Sequence, residues 1–291
     1  MLKGMKNMFG AIEAGGTKFV CAVSDENFTI KERVSIPTTT PEETMTEVFS
    51  FFDQYELTAI GIGSFGPIDV NKESDTYGYI TSTPKTAWKF YDFLGSVKNR
   101  YSVPIGWTTD VNAAALGEIK LGAAKGLKSC VYLTVGTGIG GGAVINGELL
   151  EGYGHPEMGH IPVRLHPNET YKGTCPYHGD CLEGIAAGPA IEGRFGKKGH
   201  LLADQEEVWE MEAYYLAQAL MNYTLILSPE RIVLGGGVMK QKQLYPLVRQ
   251  KFAELINGYV QVPDLEQYIV APGLEDNAGI LGSLLLAADA E

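Results

Sequence analysis

The sequence predicts an α/β protein of about two domains, a count set by its 291 residues. Two further observations support it. Short β-branched or apolar runs alternate with segments of helical spacing. Within that alternation, residues 9–23 and 131–145 share one plan: strand, glycine-rich turn with a threonine, strand. A duplicated unit of this kind would set two glycine turns facing each other across a cleft.

Residues 8–13 and 19–23 read as strands, parted by paired glycines in 14–18. Helical spacing over 40–55 follows a start signal: Thr40 as N-cap, Pro41 in the first turn, then Glu42 and Glu43. Residues 59–64 form a buried strand that runs into a loop at 65–69. The aromatic segment 77–93 has weak periodicity and reads as a surface loop with Trp88 turned to the core. Residues 103–107 are a short strand delivering Thr109, Asp110, Val111 and Asn112 to its end, where a helix opens at Ala113. Such positions often line the cleft of an α/β protein. Residues 131–135 are another buried strand, followed by the glycines of 136–142 and a strand at 143–145. Asn146-Gly147 signals a type I′ hairpin. Residues 204–227 give the clearest long helix, capped by Asp204. A strand at 231–234 leads into Gly235-Gly236-Gly237, and an apolar helix runs from about 276 to Ala288.

A hydrophobic fraction of 45% is ordinary for a globular chain and fills two cores. The net charge of -12 argues against nonspecific nucleic-acid binding, which needs a basic footprint. The lack of a basic cluster argues against anionic membrane surfaces. An acidic protein that handles phosphate must place its few positive charges, dipoles or metal ions locally. The first eight residues hold no apolar core of signal-peptide length, and no run approaches a membrane span. With four cysteines in no disulfide framework, the expected compartment is a reducing cytoplasm.

The first glycine turn, Gly15-Gly16-Thr17-Lys18, offers backbone N–H groups, a hydroxyl and an ammonium to a phosphate. It is not a P-loop, because the spacing differs and a strand follows. Its plain alternative is a tight hairpin turn. The second turn contains Gly136-x-Gly138-x-x-Gly141, the spacing of the dinucleotide fingerprint. That fingerprint must open a helix, whereas residues 143–147 read as strand and hairpin, so a phosphate cradle between two strands is the better account. Asp110 is the candidate base to accept a proton from an attacking hydroxyl; its alternative is a helix N-cap. Glu13 is placed to hold Mg²⁺ through water, or to cap its turn. The Gly235-Gly236-Gly237 turn would let a nucleoside approach the backbone.

The densest chemistry lies between Glu157 and Glu183. Cys175, His178 and Cys181 stand at Cys-x2-His-x2-Cys spacing, with His160 fifteen residues upstream of the first. Such a set closes a tetrahedral zinc site, which would contribute on the order of 10 kcal/mol to folding. The fourth ligand stays open at this point, since His155 and His166 are also in reach. A Cys-x-x-Cys redox pair is absent.

These motifs together resemble the ROK family of sugar kinases and repressors. The match runs through Glu13-Ala14-Gly15-Gly16-Thr17-Lys18, the segment Asp110-x-Asn112 to Glu118, the glycines of 136–142, Glu157-x-Gly159-His160 and Cys175…Cys181-x-Glu183. The resemblance covers nearly the whole chain. It implies the actin-like ATPase (ribonuclease H-like) fold, with two α/β domains around a cleft and a zinc-bound loop. The domains would be 1–115 plus a C-terminal helix at 277–291, and 116–276. It further implies ATP-dependent phosphorylation of a hexose, with Asp110 as general base and Asn112, Glu157, His160 and Glu183 on the sugar. Gly15, Gly16, Thr17, Lys18, Gly136, Thr137 and Gly138 would hold the phosphates. Pro189, Gly235, Gly236, Gly237, Val238, Met239 and Lys240 would line the nucleotide. His160, Cys175, His178 and Cys181 would ligate structural zinc, and Glu13 would serve the Mg²⁺ that accompanies ATP. A homodimer is also implied.

Two departures from the family's common pattern point to one branch. His178 stands where many members have a cysteine, and Glu13 replaces the usual aspartate. Both look like the bacterial fructokinases, which favours D-fructose and the product fructose 6-phosphate over mannose or glucose. A third departure, Thr109 before Asp110, would alter contacts to the sugar. The rivals are a DNA-binding repressor, which needs a helix-turn-helix ahead of the first turn where only twelve residues stand, and a sugar-binding protein without catalysis. The intact Asp110 and both glycine turns argue for a kinase.

Overall fold

The computed structural model describes residues 8–290. The stretch 1–7, expected to lack a signal-peptide core, lies outside the described residues. The chain forms two compact units, one built from residues up to Lys120, Leu149–His155 and the stretch from Asp276, the other from Leu121–Glu148 and Pro156–Glu275. The expected break at 115/116 falls inside a helix, so the division comes instead at that helix's end.

The first unit carries β1 (Met8–Ala14), β2 (Lys18–Ser24), β3 (Ile30–Pro37), β4 (Leu57–Ser64) and β5 (Ile105–Thr109), with sheet order β3-β2-β1-β4-β5. Strands β1, β2 and β3 pair antiparallel, while β4 runs parallel to both β1 and β5. The second unit carries β6 (Cys130–Val135), β7 (Ile139–Ile145), β8 (Glu148–Leu149), β9 (Arg231–Gly235) and β10 (Ile269–Val270), in the order β10-β9-β6-β7-β8. Read from β8 inward, this is the first sheet's order again, with β6 antiparallel to β7 and parallel to β9. The internal echo in the sequence is therefore a repeated sheet topology, and in each copy the glycine turn joins the central strand to its antiparallel neighbour.

Helices α1 (Pro41–Phe52), α2 (Phe93–Arg100) and α3 (Asp110–Lys120), with the C-terminal helix Ala278–Ala290, complete the first unit. Thr40 caps α1 as expected, its side chain accepting from Glu43 N. Trp88 is buried and donates from Nε1 to Thr39 O at 2.8 Å. The segment 77–93 is not all loop, since its last residue opens α2. Helix α3 begins at Asp110 rather than Ala113, and its start is held by glycine contacts. A Cβ on Gly63 of β4 would stand 2.8 Å from Ala113 Cβ and 3.3 Å from Asp110 Cα. One on Gly282 of the C-terminal helix would overlap Ala113 O. Bare backbone at these points lets strand, α3 and C-terminal helix close tightly around Asp110.

In the second unit, α4 (Leu182–Ala186) and α5 (Gly188–Phe195) follow the cysteine loop, while α6 (Glu206–Leu227) packs on α4 and α7 (Leu244–Ile256), and α7 reaches β10. Helix α6 starts at Glu206 after a Gln205 N-cap that makes no side-chain hydrogen bond, so Asp204 does not cap it. Asn146 and Gly147 both have positive φ, 54° and 88°, as a type I′ turn requires.

Glu212 lies fully inside α6, and neither carboxylate oxygen has a hydrogen-bond partner. Burial raises its carboxyl well above the ordinary range, so the folded chain keeps it protonated where the unfolded chain ionises. Stability from this residue is therefore fully present below the unfolded value of about 4.5 and falls as pH rises above it. The slope is about 1.4 kcal/mol per pH unit up to the folded value. The variant Glu212→Gln is expected to flatten the urea-midpoint profile between pH 5 and 8. An unaltered profile would mean that Glu212 is ionised in the fold.

Candidate functional site

In the first unit, β1 and β2 converge on the glycine turn. Gly15 N donates to Lys18 O at 3.0 Å, Thr38 N donates to Thr17 O at 3.0 Å, and the Thr38 hydroxyl donates to Gly15 O at 2.8 Å. The turn is thus fastened from one side by Thr38, with Thr17 and Lys18 exposed. Glu13, at the end of β1, is largely buried, and its Oε2 has no hydrogen-bond partner. Desolvation, then the nearby Asp110 carboxylate, push its carboxyl up to about 7. Gly279 of the C-terminal helix makes room for it, because a Cβ there would lie 2.6 Å from the Glu13 carboxyl carbon.

Asp110 stands at the carboxyl end of β5, opening α3. The N-cap alternative for it fails. Thr109 fills that role, its hydroxyl accepting from Asn112 N at 3.1 Å, while Asp110 Oδ1 accepts from its neighbour Val111 N at 2.9 Å. Thr109 is buried against the helix start; its signal in the sequence was a capping residue three positions ahead of Asn112. Asn112 is also buried, its amide donating to Thr108 Oγ1 at 3.1 Å and its Oδ1 left without a partner.

In the second unit, the turn between β6 and β7 is closed by Gly136 N on Gly138 O at 2.9 Å. Gly188 N, at the start of α5, donates to Gly136 O at 2.7 Å. That bond seats the α5 N-terminus, with exposed Pro189 in its first turn, against the glycine turn. Gly236 follows β9 at φ 92°, where a Cβ would strike the Val135 backbone. Gly235, Gly236 and Gly237 therefore run beside Gly136 with little but backbone, while Val238 and Met239 bury their side chains and Lys240 is exposed. A helix N-terminus beside bare backbone N–H groups is chemistry that suits an anion.

The same turn touches the carboxylate of Glu183. Ile139 N donates to Glu183 Oε2 at 2.9 Å, and a Cβ on Gly138 would lie 2.6 Å from that oxygen. The other oxygen, Oε1, is 4.0 Å from His160 Nε2. Glu157, exposed, precedes a short 3-10 turn over Met158–His160, and His160 N donates to its carbonyl at 3.1 Å. Glu157, His160 and Glu183 thus belong to one neighbourhood, with the His160 ring turned so that Nε2 faces Glu183 and Nδ1 faces away.

What Nδ1 faces is the cysteine loop. It lies 3.7 Å from Cys175 Sγ and 3.6 Å from Cys181 Sγ, and His178 Nδ1 is 3.7 Å from Cys175 Sγ. The four ligand atoms of His160, Cys175, His178 and Cys181 all lie within 4.8 Å of one another. Zinc bonds of about 2.3 Å to sulfur and 2.05 Å to nitrogen at a tetrahedral angle imply an S···N separation of about 3.6 Å, so the donor set fits the metal. Backbone bonds between Cys175 and Gly179 turn Cys175 and His178 to one side, and Leu182 N on Ile161 O at 3.0 Å brings Cys181 to His160. Of the three histidines in reach by sequence, His160 is the one that stands with both cysteines. His155 accepts instead from Ile68 N through Nε2 at 3.0 Å, and His166 packs on Tyr214 and accepts from Asn168 N.

Comparison with known proteins fits this geometry. The sequence profile of the ROK family matches residues 9–290. The fructokinase of Pediococcus pentosaceus is 51% identical over 96% of this chain and 97% of its own. That of Streptococcus mutans serotype c is 50% identical over 97% and 98%. In structure, the ROK hexokinase of Thermus thermophilus superposes with a TM-score of 0.78 at 27% identity, covering 98% of each chain. The two-sheet α/β architecture accordingly fits the actin-like ATPase fold. Among the described residues, no helix is long and apolar enough to cross a membrane.

Proposed function

We infer that this chain, which belongs to the ROK family, transfers the γ-phosphoryl group of ATP to a hexose, and that the hexose is fructose. The observation that carries the reading is near-full-length identity of about half to fructokinases, joined to a site of matching chemistry. Phosphoryl transfer is mostly positioning and charge stabilisation. In this reading the glycine turns and the α5 N-terminus hold phosphate oxygens through N–H groups. Asp110 accepts the proton of the attacking hydroxyl. Glu157, Glu183 and His160 Nε2 hold sugar hydroxyls, and Asn112, fully buried, orients the start of α3 rather than reaching outward. Mg²⁺ would come with ATP, and Glu13 is the residue that would hold it, through water, once its carboxyl is ionised.

Zinc has a positioning part in this scheme. Bound by His160 Nδ1, Cys175, His178 and Cys181, it would leave no open position for water, which sets aside hydrolytic chemistry. It would fix the His160 ring so that Nε2 points toward Glu183.

The test is ADP release from ATP·Mg²⁺ with fructose, mannose, glucose and N-acetylmannosamine in parallel. Fructose should lead by at least ~10-fold in kcat/KM, the bottom of the range over which pocket contacts discriminate similar substrates. Glucose-led or uniform rates would keep the kinase and remove the fructose assignment. Absence of release with every sugar would leave a binding protein.

A further inference from the structure

Lys85 lies across the first glycine turn. Its side chain is the group that a Cβ on Gly16 would meet, with the Lys85 ε-carbon 3.4 Å away. The residue sits in the aromatic segment 77–93, and its backbone is pinned. Lys85 N donates to the hydroxyl of buried Thr83 at 3.3 Å, and Trp88 N donates to Lys85 O at 2.8 Å. Buried Trp88 in turn bonds Thr39 O, next to the Thr38 that fastens both Gly15 and Thr17. One short stretch therefore ties Lys85 and the turn into a common register.

In this unit Lys31 pairs with Asp25 and Arg100 with Asp53. Among the described residues, Lys18 and Lys85 have no such ion pair. In a chain of net charge -12, two unpaired ammonium groups at one turn of bare N–H donors form a local positive site. A lysine suits this use as a mobile point charge that follows an anion.

We propose that Lys85 is a phosphate-contacting residue of this kinase, its ammonium binding the same anionic oxygens as the first glycine turn. The proposal rests on the reading that this turn holds phosphate. The contact strengthens as charge gathers on the transferring group, so it acts on the chemical step more than on sugar binding.

Steady-state kinetics of Lys85→Met, Lys85→Arg and Thr17→Ala separate the two readings. Lys85→Met should lower kcat/KM for ATP by about 10²-fold, the loss typical of one charge-stabilising donor, with the KM for fructose within about twofold. Lys85→Arg should recover at least about a tenth of the lost activity. Thr17→Ala should also lower the ATP parameter, since its hydroxyl serves the same anion. Wild-type kinetics for Lys85→Met beside an impaired Thr17→Ala would overturn the Lys85 proposal alone. Wild-type kinetics for both would overturn the turn's role and the proposal with it. A rise confined to the KM for fructose would place Lys85 on the sugar and also sink the assignment. Lys85 is exposed, so a thermal midpoint equal to wild type is expected and certifies that the variant is folded.

Discussion

Replacing Asp110 with alanine is expected to lower turnover with fructose by at least ~10²-fold at saturating ATP, the lower range for losing a general base. The helix start should survive the change. Thr109 supplies the cap through its bond to Asn112 N, and the glycine contacts of Gly63 and Gly282 hold the backbone around residue 110. Lost activity would then report lost proton transfer. The isosteric Asp110→Asn should be about as slow, because an amide cannot take the proton. Either variant should also relieve Glu13, whose carboxyl is raised by burial first and by the Asp110 charge second. Rapid-quench turnover with a parallel thermal melt checks the result. Near-wild-type turnover in a folded Asp110→Ala protein would remove Asp110 from the chemistry.

The second large effect is expected from the cysteine loop. Elemental analysis of the purified protein should give about one zinc per chain, and Cys181→Ser should lose it. Structural zinc contributes on the order of 10 kcal/mol in small domains, and each kcal/mol moves the midpoint of a unit this size by about 2–4 °C. Losing even half of that should lower the melting temperature by at least ~10 °C. Burial raises the Cys181 thiol, and the serine variant removes a sulfur ligand from the set. Activity should fall as well, because His160 Nδ1 would lose the partner that orients Nε2 toward Glu183. Metal-free protein with full stability and full activity would refute the site.

Other elements of the sequence were legible to different degrees. The Thr40 start, the buried runs at β4 and β6, the type I′ turn at Asn146-Gly147 and the core position of Trp88 all follow from local chemistry. Strand β3 did not stand out, because an edge strand half in water carries Lys31, Glu32 and Arg33 and shows little apolar alternation. Helix α7 carries a clear signal: Leu244, Val248, Phe252 and Ile256 bury one face at a spacing of four. Asp204 looked like the cap of α6, yet the chain enters the helix two residues later, a boundary that local propensity leaves loose.

By itself, the sequence determined the α/β class, the two strand–turn–strand copies, the four metal ligands as candidates and the acids that surround them. Residue type and spacing carry that much, since glycine turns, cap residues and soft ligands act over a few positions. Tertiary structure alone decided which histidine stands with the two cysteines and that Lys85 reaches Gly16. Each of those depends on contacts between segments far apart in the chain, fixed by the packing of strands and helices around glycines where no side chain fits.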